Sequence, residues 1–170
     1  MRAIAGILVI SIVSGAAAAQ EWKEYSYPDD SFTVAFPADP RVETKTYQAV
    51  DGRAVAARVY SVTQEGGVFK ITIAELSDTA AVESAVIDHA IKTLSEGGQI
   101  KVDIPHRISQ VYGRQLSIAG PDGSHSSVAV FYHQRRLYQI EGTALSGNDA
   151  TADAIRFQQS LVFTGDASNR

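Results

Sequence analysis

The sequence predicts an α+β domain, a mainly antiparallel β-sheet with helices packed on it. Three observations carry that expectation. Two blocks of short, alternating apolar runs flank one long stretch of helical periodicity, a second helical stretch closes the chain, and turn-forming dipeptides separate the runs. About eight strands and two helices would fill a chain of this length as one domain.

Residues 1–19 are read as a targeting segment and set aside from the fold. Arg2 supplies a short positive region, "AIAGILVISIV" an apolar one, and "GAAAA" the small residues a signal peptidase accepts, with Ala17 and Ala19 at the A-x-A positions. The mature chain is expected to begin at Gln20 and to span residues 20–170. A retained membrane anchor is the alternative, since residues 3–19 form an uninterrupted run almost long enough to cross a bilayer. After removal of the segment no stable membrane insertion is expected, and the localisation is periplasmic or secreted. The chain has no cysteine, which excludes disulfides, thiolate nucleophiles and thiolate-metal sites. Such a domain must rely on its core, and one of about 150 residues buries roughly 68–70% of its unfolded surface.

The elements follow in order. In "FTVAFPADP" (32–40), Phe32, Val34 and Phe36 alternate with Thr33 and Ala35, the period of a strand with one face in a core. Pro37 has no N–H to give a neighbouring strand and ends the ladder, and Pro40 steers the chain away. "VETKTYQAV" and "RAVAARVYSV" are joined by Asp51-Gly52, suited to a tight hairpin turn, and continue through Glu65-Gly66-Gly67 into "VFKITIAEL". These make three consecutive antiparallel strands. From Asp78 to Glu96 the period changes: Ala80, Ile87, Ala90, Ile91 and Leu94 form an apolar stripe opposite Glu83, Asp78 or Thr79 can cap the first turn, and Gly97-Gly98 can close the last. Then come "IKVDIPHRI", "VYGRQLSIA", "SVAVFYH" and "LYQIEGTA". Pro105 belongs at an edge or a bulge, where no ladder hydrogen bond is lost. In "NDATADAIRFQQSLVF", Asn148 or Asp149 can cap a helix carrying Ala150, Ala154, Phe157 and Leu161 on one face.

The aromatic residue before "FTVAFPADP", the later "GRQL" (113–116), "RRLYQIEG" (135–142) and the closing "DAIRFQQSLVF" together resemble bacterial exported members of the PsbP-like α/β/α sandwich group. The resemblance spans about residues 22–163. It implies the α/β/α sandwich fold and no particular function, because members of such a fold bind different partners, and no functional residue is carried across.

Composition limits the partners. With Arg2 gone the chain keeps 14 of its 15 basic residues against 19 acidic ones, which argues against nucleic acid and anionic membrane. No G-x-S-x-G elbow, S-x-x-K pair or P-loop is present, so no catalytic residue is assigned and no enzyme is expected. No cofactor is expected either. His89 and His106 read as boundary residues. His125 and His133, eight apart on one strand, would stand roughly 26 Å apart and cannot share an ion. The metal candidates are His125 and Asp122, set against a plain hairpin turn at "PDG". Asp29-Asp30 reads as a turn whose carboxylates bond their own backbone.

The candidates for partner binding are Trp22 and Tyr25, with Tyr27, on an N-terminal arm, and a small anion-attracting patch of Arg135 and Arg136 near His133, Arg107 and Arg114. The function expected is a non-catalytic exported binding or accessory module acting through protein–protein contacts with an envelope protein. The alternative is a carrier or sensor of a small ligand or metal ion, held between helix and sheet where small residues at 54, 56, 57, 113 and 142 leave room.

Overall fold

The computed structural model describes residues 21–78, 80–147 and 150–164. The leader at 1–19 and the capping residues Thr79, Asn148 and Asp149 lie outside them. In chain order the elements are β1 (Lys23–Tyr27), a 3-10 turn (Pro28–Asp30), β2 (Phe32–Phe36), β3 (Arg41–Gln48), β4 (Ala54–Gln64), β5 (Gly67–Glu75) and α1 (Glu83–Leu94). Then follow β6 (Gln99–Ile108), β7 (Val111–Ala119), β8 (His125–His133), β9 (Arg136–Ala144), α2 (Thr151–Gln159) and β10 (Val162–Phe163).

The strands form a seven-stranded antiparallel sheet, β3-β4-β5-β9-β8-β7-β6, and a small sheet, β1-β2-β10. Period-2 alternation gives the large sheet two apolar faces, and each has its own cover. On one face Phe69, Ile71, Phe131, Tyr138 and Ile140 meet Phe32, Val34 and Phe36 of the small sheet and Phe157 of α2. On the other, Ala57, Ala74, Leu116, Val128, Val130 and Leu137 meet Val86, Ile87, Ala90 and Ile91 of α1. The result is the expected mainly antiparallel sheet with helices packed on it, sandwiched between α1 and a mixed layer of α2 and small sheet.

Local chemistry explains the strand ends. Pro37 stops β2 as expected. The β8–β9 turn is Gln134-Arg135 with both φ positive, at 49° and 62°, the mirror-image geometry that matches strand twist. Pro105 sits on β6, an edge strand, with a register irregularity between Ile100 and Val102.

Three expectations need correction. The first helix starts at Glu83, not Asp78: Val82 is its extended N-cap with no side-chain cap, and Ala80 is exposed outside it, because the chain leaving β5 must first cross to the far face of the sheet. The closing helix ends at Gln159, where the Ser160 hydroxyl donates to the Phe157 carbonyl at 2.8 Å. Beyond it Val162–Phe163 pair with Thr33 and Phe32. The described residues thus hold ten strands rather than about eight, and the two unforeseen ones, β1 and β10, flank β2.

Candidate functional site

Half of the exposed large apolar side chains among the described residues stand on the wing made by β6 and β7, at one edge of the large sheet. Registry fixes which side chains share a face. Val102, Ile104, His106 and Ile108 lie opposite Ser117, Gln115, Gly113 and Val111, on the α2 side. Asp103, Pro105 and Arg107 lie opposite Leu116, Arg114 and Tyr112, on the α1 side. The edge strand exposes Ile100, Val102 and Ile104 at 37, 42 and 47%, and β7 exposes Tyr112 at 62%. Arg107 stacks over the Tyr112 ring at 5.7 Å, and Arg114 forms an ion pair with Asp103 at 2.6 Å. Between this face and α1 runs a groove of about 370 Å³ lined by Glu83, Ser84, Ile87, Asp88, Tyr112, Gly113 and Arg114. The exposed groups of the wing thus lie on two faces: Val102 and Ile104 on the α2 side, and Tyr112 with its stacked guanidinium on the α1 side.

Gly113 is required there for a steric reason. A Cβ would stand 2.2 Å from the Val130 carbonyl oxygen and 2.5 Å from the Phe131 ring, so β7 can lie flat against β8 only without a side chain. Gly142 is similar, its absent Cβ being 2.3 Å from the Ala154 carbonyl of α2. These two glycines serve close approach of backbones, and Gly113 also borders the groove beside α1. Ala54 is exposed, and Ala56 and Ala57 line a shallow hollow of about 260 Å³.

The N-terminal aromatics are not a free arm. β1 pairs along its whole length with β2. Trp22 sits edge-on to Phe69 at 5.3 Å with Arg156 over its other face at 4.6 Å, and Tyr27 lies 4.2 Å from Tyr60. Tyr25 packs on Phe36 and donates to Asp39 at 2.6 Å, a hydrogen bond that pushes the phenol up to about 12. All three are half-buried in the core of the small-sheet side, which leaves them little apolar surface to offer a partner.

The basic patch also separates. Arg136 is bound to Glu75 at 2.7 Å and donates to the Asp29 carbonyl at 3.0 Å, while Arg135 is exposed in the turn, its carbonyl accepting from Leu76 N–H at 2.9 Å. Asp122 folds back on its own turn: Ser124 donates to it from N–H at 3.0 Å and from the hydroxyl at 2.6 Å, which lowers the Asp122 pKa. His125 begins β8 and points to a different surface, the cleft beside α2. Among the described residues no group of three His, Asp or Glu side chains comes together to hold a metal ion. His89 is a boundary residue, bonded to the Gln48 carbonyl at 2.9 Å.

The residue that sequence reasoning missed is Asp30. It is 1% exposed, and its carboxylate accepts from the Arg58 guanidinium and the Tyr60 hydroxyl, while its carbonyl accepts from the Tyr138 hydroxyl at 3.0 Å. Burial first and the Asp30 carboxylate second push the Tyr60 phenol well up, so it remains a donor. Asp30 therefore bolts the small sheet to β4 and β9, a structural task. Its signal was the pair of polar-tipped residues Arg58 and Tyr60 two apart on one strand, near in space but far in sequence.

No family model matches the chain, and no curated protein matches it. Among solved structures, cyanobacterial PsbP (CyanoP) from Synechocystis superposes with a TM-score of 0.57 at 13% identity, covering 88% of this chain and 96% of that one. A Pseudomonas aeruginosa protein of unknown function superposes at 0.41 and 9% identity, over 75% of this chain and 85% of that one. No helix among the described residues is long and apolar enough to cross a membrane. With 88% of the chain superposed at a TM-score above 0.5, the fold is PsbP-like.

Proposed function

We propose that the protein is an exported, non-catalytic accessory module that docks on an envelope protein through its β6–β7 wing. The observation that carries this reading is the exposure of Val102 and Ile104 on one face and of Ile100 and Tyr112 on the other face of the same edge of the sheet. β-Branched Ile and Val suit the extended backbone of β6, but leaving them in water is unfavourable by about 25 cal/mol per Å², which a docked partner would recover. Docking is by the faces of the wing rather than by strand addition. Pro105 lacks the N–H that an added strand would need, the irregularity at Ile100/Val102 breaks the ladder, and Lys101 adds a charge on the same strand.

A photo-crosslinking residue placed at position 104 or 112, with position 42 on the opposite edge as control, tests the docking surface in intact envelopes. One discrete adduct from 104 and 112, absent from 42, is expected. No adduct at either wing position, or equal labelling at position 42, would remove the wing from consideration.

A further inference from the structure

On the α2 side of the sheet, sharing Val102 with the wing, lies a second unexplained feature. A cleft of about 310 Å³ opens between α2 and strands β6, β7 and β8. Its floor follows from registry: Gly142, Ser127, Ser117 and Val102 are successive cross-strand partners, a row in which a glycine beneath α2 is followed by two hydroxyls and then an aliphatic group at the sheet edge. Gln115 and His125 border the row, one on each side. The wall is Thr151, Ile155 and Gln159, spaced four apart on one face of α2. The contact of Gly142 with the Ala154 backbone seats the helix low on the sheet and so makes the wall steep.

We propose that this cleft binds one small neutral polyhydroxylated molecule, a single sugar ring. Three features select that class. The lining contains no Asp, Glu, Lys or Arg, so a charged ligand would lose its hydration with no counter-ion to replace it. The side chains of Gln115, Ser117, Ser127, Thr151 and Gln159 make no hydrogen bond to any described residue, so five groups that both donate and accept line the cleft and are open to a ligand in exchange for water. Ligand hydroxyls, which also both donate and accept, complement them. Finally, Val102 and Ile155 face the same cleft at 42 and 41% exposure, an apolar pair suited to the C–H face of a pyranose. The volume lies at the lower end of the roughly 300–1,000 Å³ of small-molecule sites, which fits a monosaccharide. His125 then serves as a hydrogen-bonding group at the cleft margin, and occupancy would make the module a carrier or sensor as well as a docking partner.

Titration of the 15N-labelled protein with glucose, galactose and N-acetylglucosamine, one at a time at millimolar concentration, tests this by NMR. At least one sugar should give saturable shifts centred on the amides of Ser117, Ser127, Thr151 and Gln159. Gln159→Ala, an exposed change on α2, should weaken that binding about fivefold, the size of one hydrogen bond, and Ser127→Leu should abolish it. Absence of saturable shifts from all three sugars overturns the proposal. So does binding that neither variant alters, or tighter binding of glucose 6-phosphate than of glucose, which would mean the site selects charge.

Discussion

Strand β9, RLYQIEGTA, runs through the middle of the large sheet with Leu137, Tyr138, Gln139 and Ile140 buried, whereas β6, QIKVDIPHRI, runs along one edge with Ile100, Val102 and Ile104 exposed. Both carry alternating aliphatic groups. In β9 each has a cover: Leu137 meets the α1 cluster and Tyr138 and Ile140 the small-sheet cluster. In β6 the alternation is present and the cover is not. The opposite edge shows that this is no general property of edges. β3 projects Arg41, Glu43 and Lys45, with ion pairs of 2.8 and 3.2 Å, and exposes one large aliphatic group, Val42. Packing within the fold therefore accounts for the apolar residues of β9 more fully than for Ile100, Val102 and Ile104 of β6, the groups that the proposed docking would cover.

The sharpest way to break this comparison is a matched pair of truncations. Ile140→Ala should cost about 2–5 kcal/mol, lost transfer energy plus a cavity between sheet and covers. Ile104→Ala should change stability by no more than about 0.5 kcal/mol while abolishing the crosslink from a photo-reactive residue at position 102, its neighbour on the same face. Urea unfolding midpoints read the first contrast. A cost for Ile104→Ala above about 1 kcal/mol would mean that the wing is held by packing within the fold.

Asp30→Ala comes next. It leaves Arg58 half-exposed but strips Tyr60 and the turn of their shared anchor, and a loss of about 2–3 kcal/mol is expected. Tyr60→Phe, which removes a single hydrogen bond, should cost about 1 kcal/mol. If Asp30→Ala proves neutral, the small sheet is held by its aromatic contacts alone.

These residues also mark how far sequence reaches. Strands β6 to β9 were legible nearly to the residue because hairpins carry their signals locally: alternation on both sides of a short turn. Pro37 and Pro105 were legible because a missing N–H constrains any sheet. Asp30 was not, since its local context, Pro-Asp-Asp, is that of an ordinary turn and its partners lie 28 and 30 positions on. β10 was hidden for the same reason, being two residues long and paired with a strand some 130 positions earlier. The early residues of α1 misled because Ala80 and Ala81 suit a helix, while the crossing to the far face of the sheet demands extended chain. Trp22 and Tyr25 looked like docking residues because nothing local reveals that β1 pairs with β2. The wing was invisible for a deeper reason: alternation in "IKVDI" promises a buried face, and only the completed sheet shows that no layer lies over it.

At the other edge, Glu43→Ala removes the partner shared by Arg41 and Lys45 and should cost at most about 1 kcal/mol, as exposed ion pairs do. Its informative readout is association. The variant should keep the parent's association state by sedimentation if Arg41 and Lys45, which remain, are enough to guard this edge. Dimerisation would show that the charges of β3 alone had kept this sheet from pairing with a copy of itself.

The smallest effect concerns the inner face of the wing. His106, on β6, lies 5.6 Å from the fully buried Phe131 ring, and burial lowers its pKa below the ordinary 6.5. The unfolded chain then binds a proton more readily than the folded one. Its stabilising contribution is complete above pH 6.5 and is lost as the pH falls through the folded value, so the native protein should lose stability on acidification over that window. His106→Phe keeps a ring against Phe131 and removes the titration. Its unfolding midpoint should fall less between about pH 7 and pH 5 than that of the parent. Parallel profiles would show that water already reaches this ring, and would move the boundary between the covered centre and the open wing inward from β6 to β7.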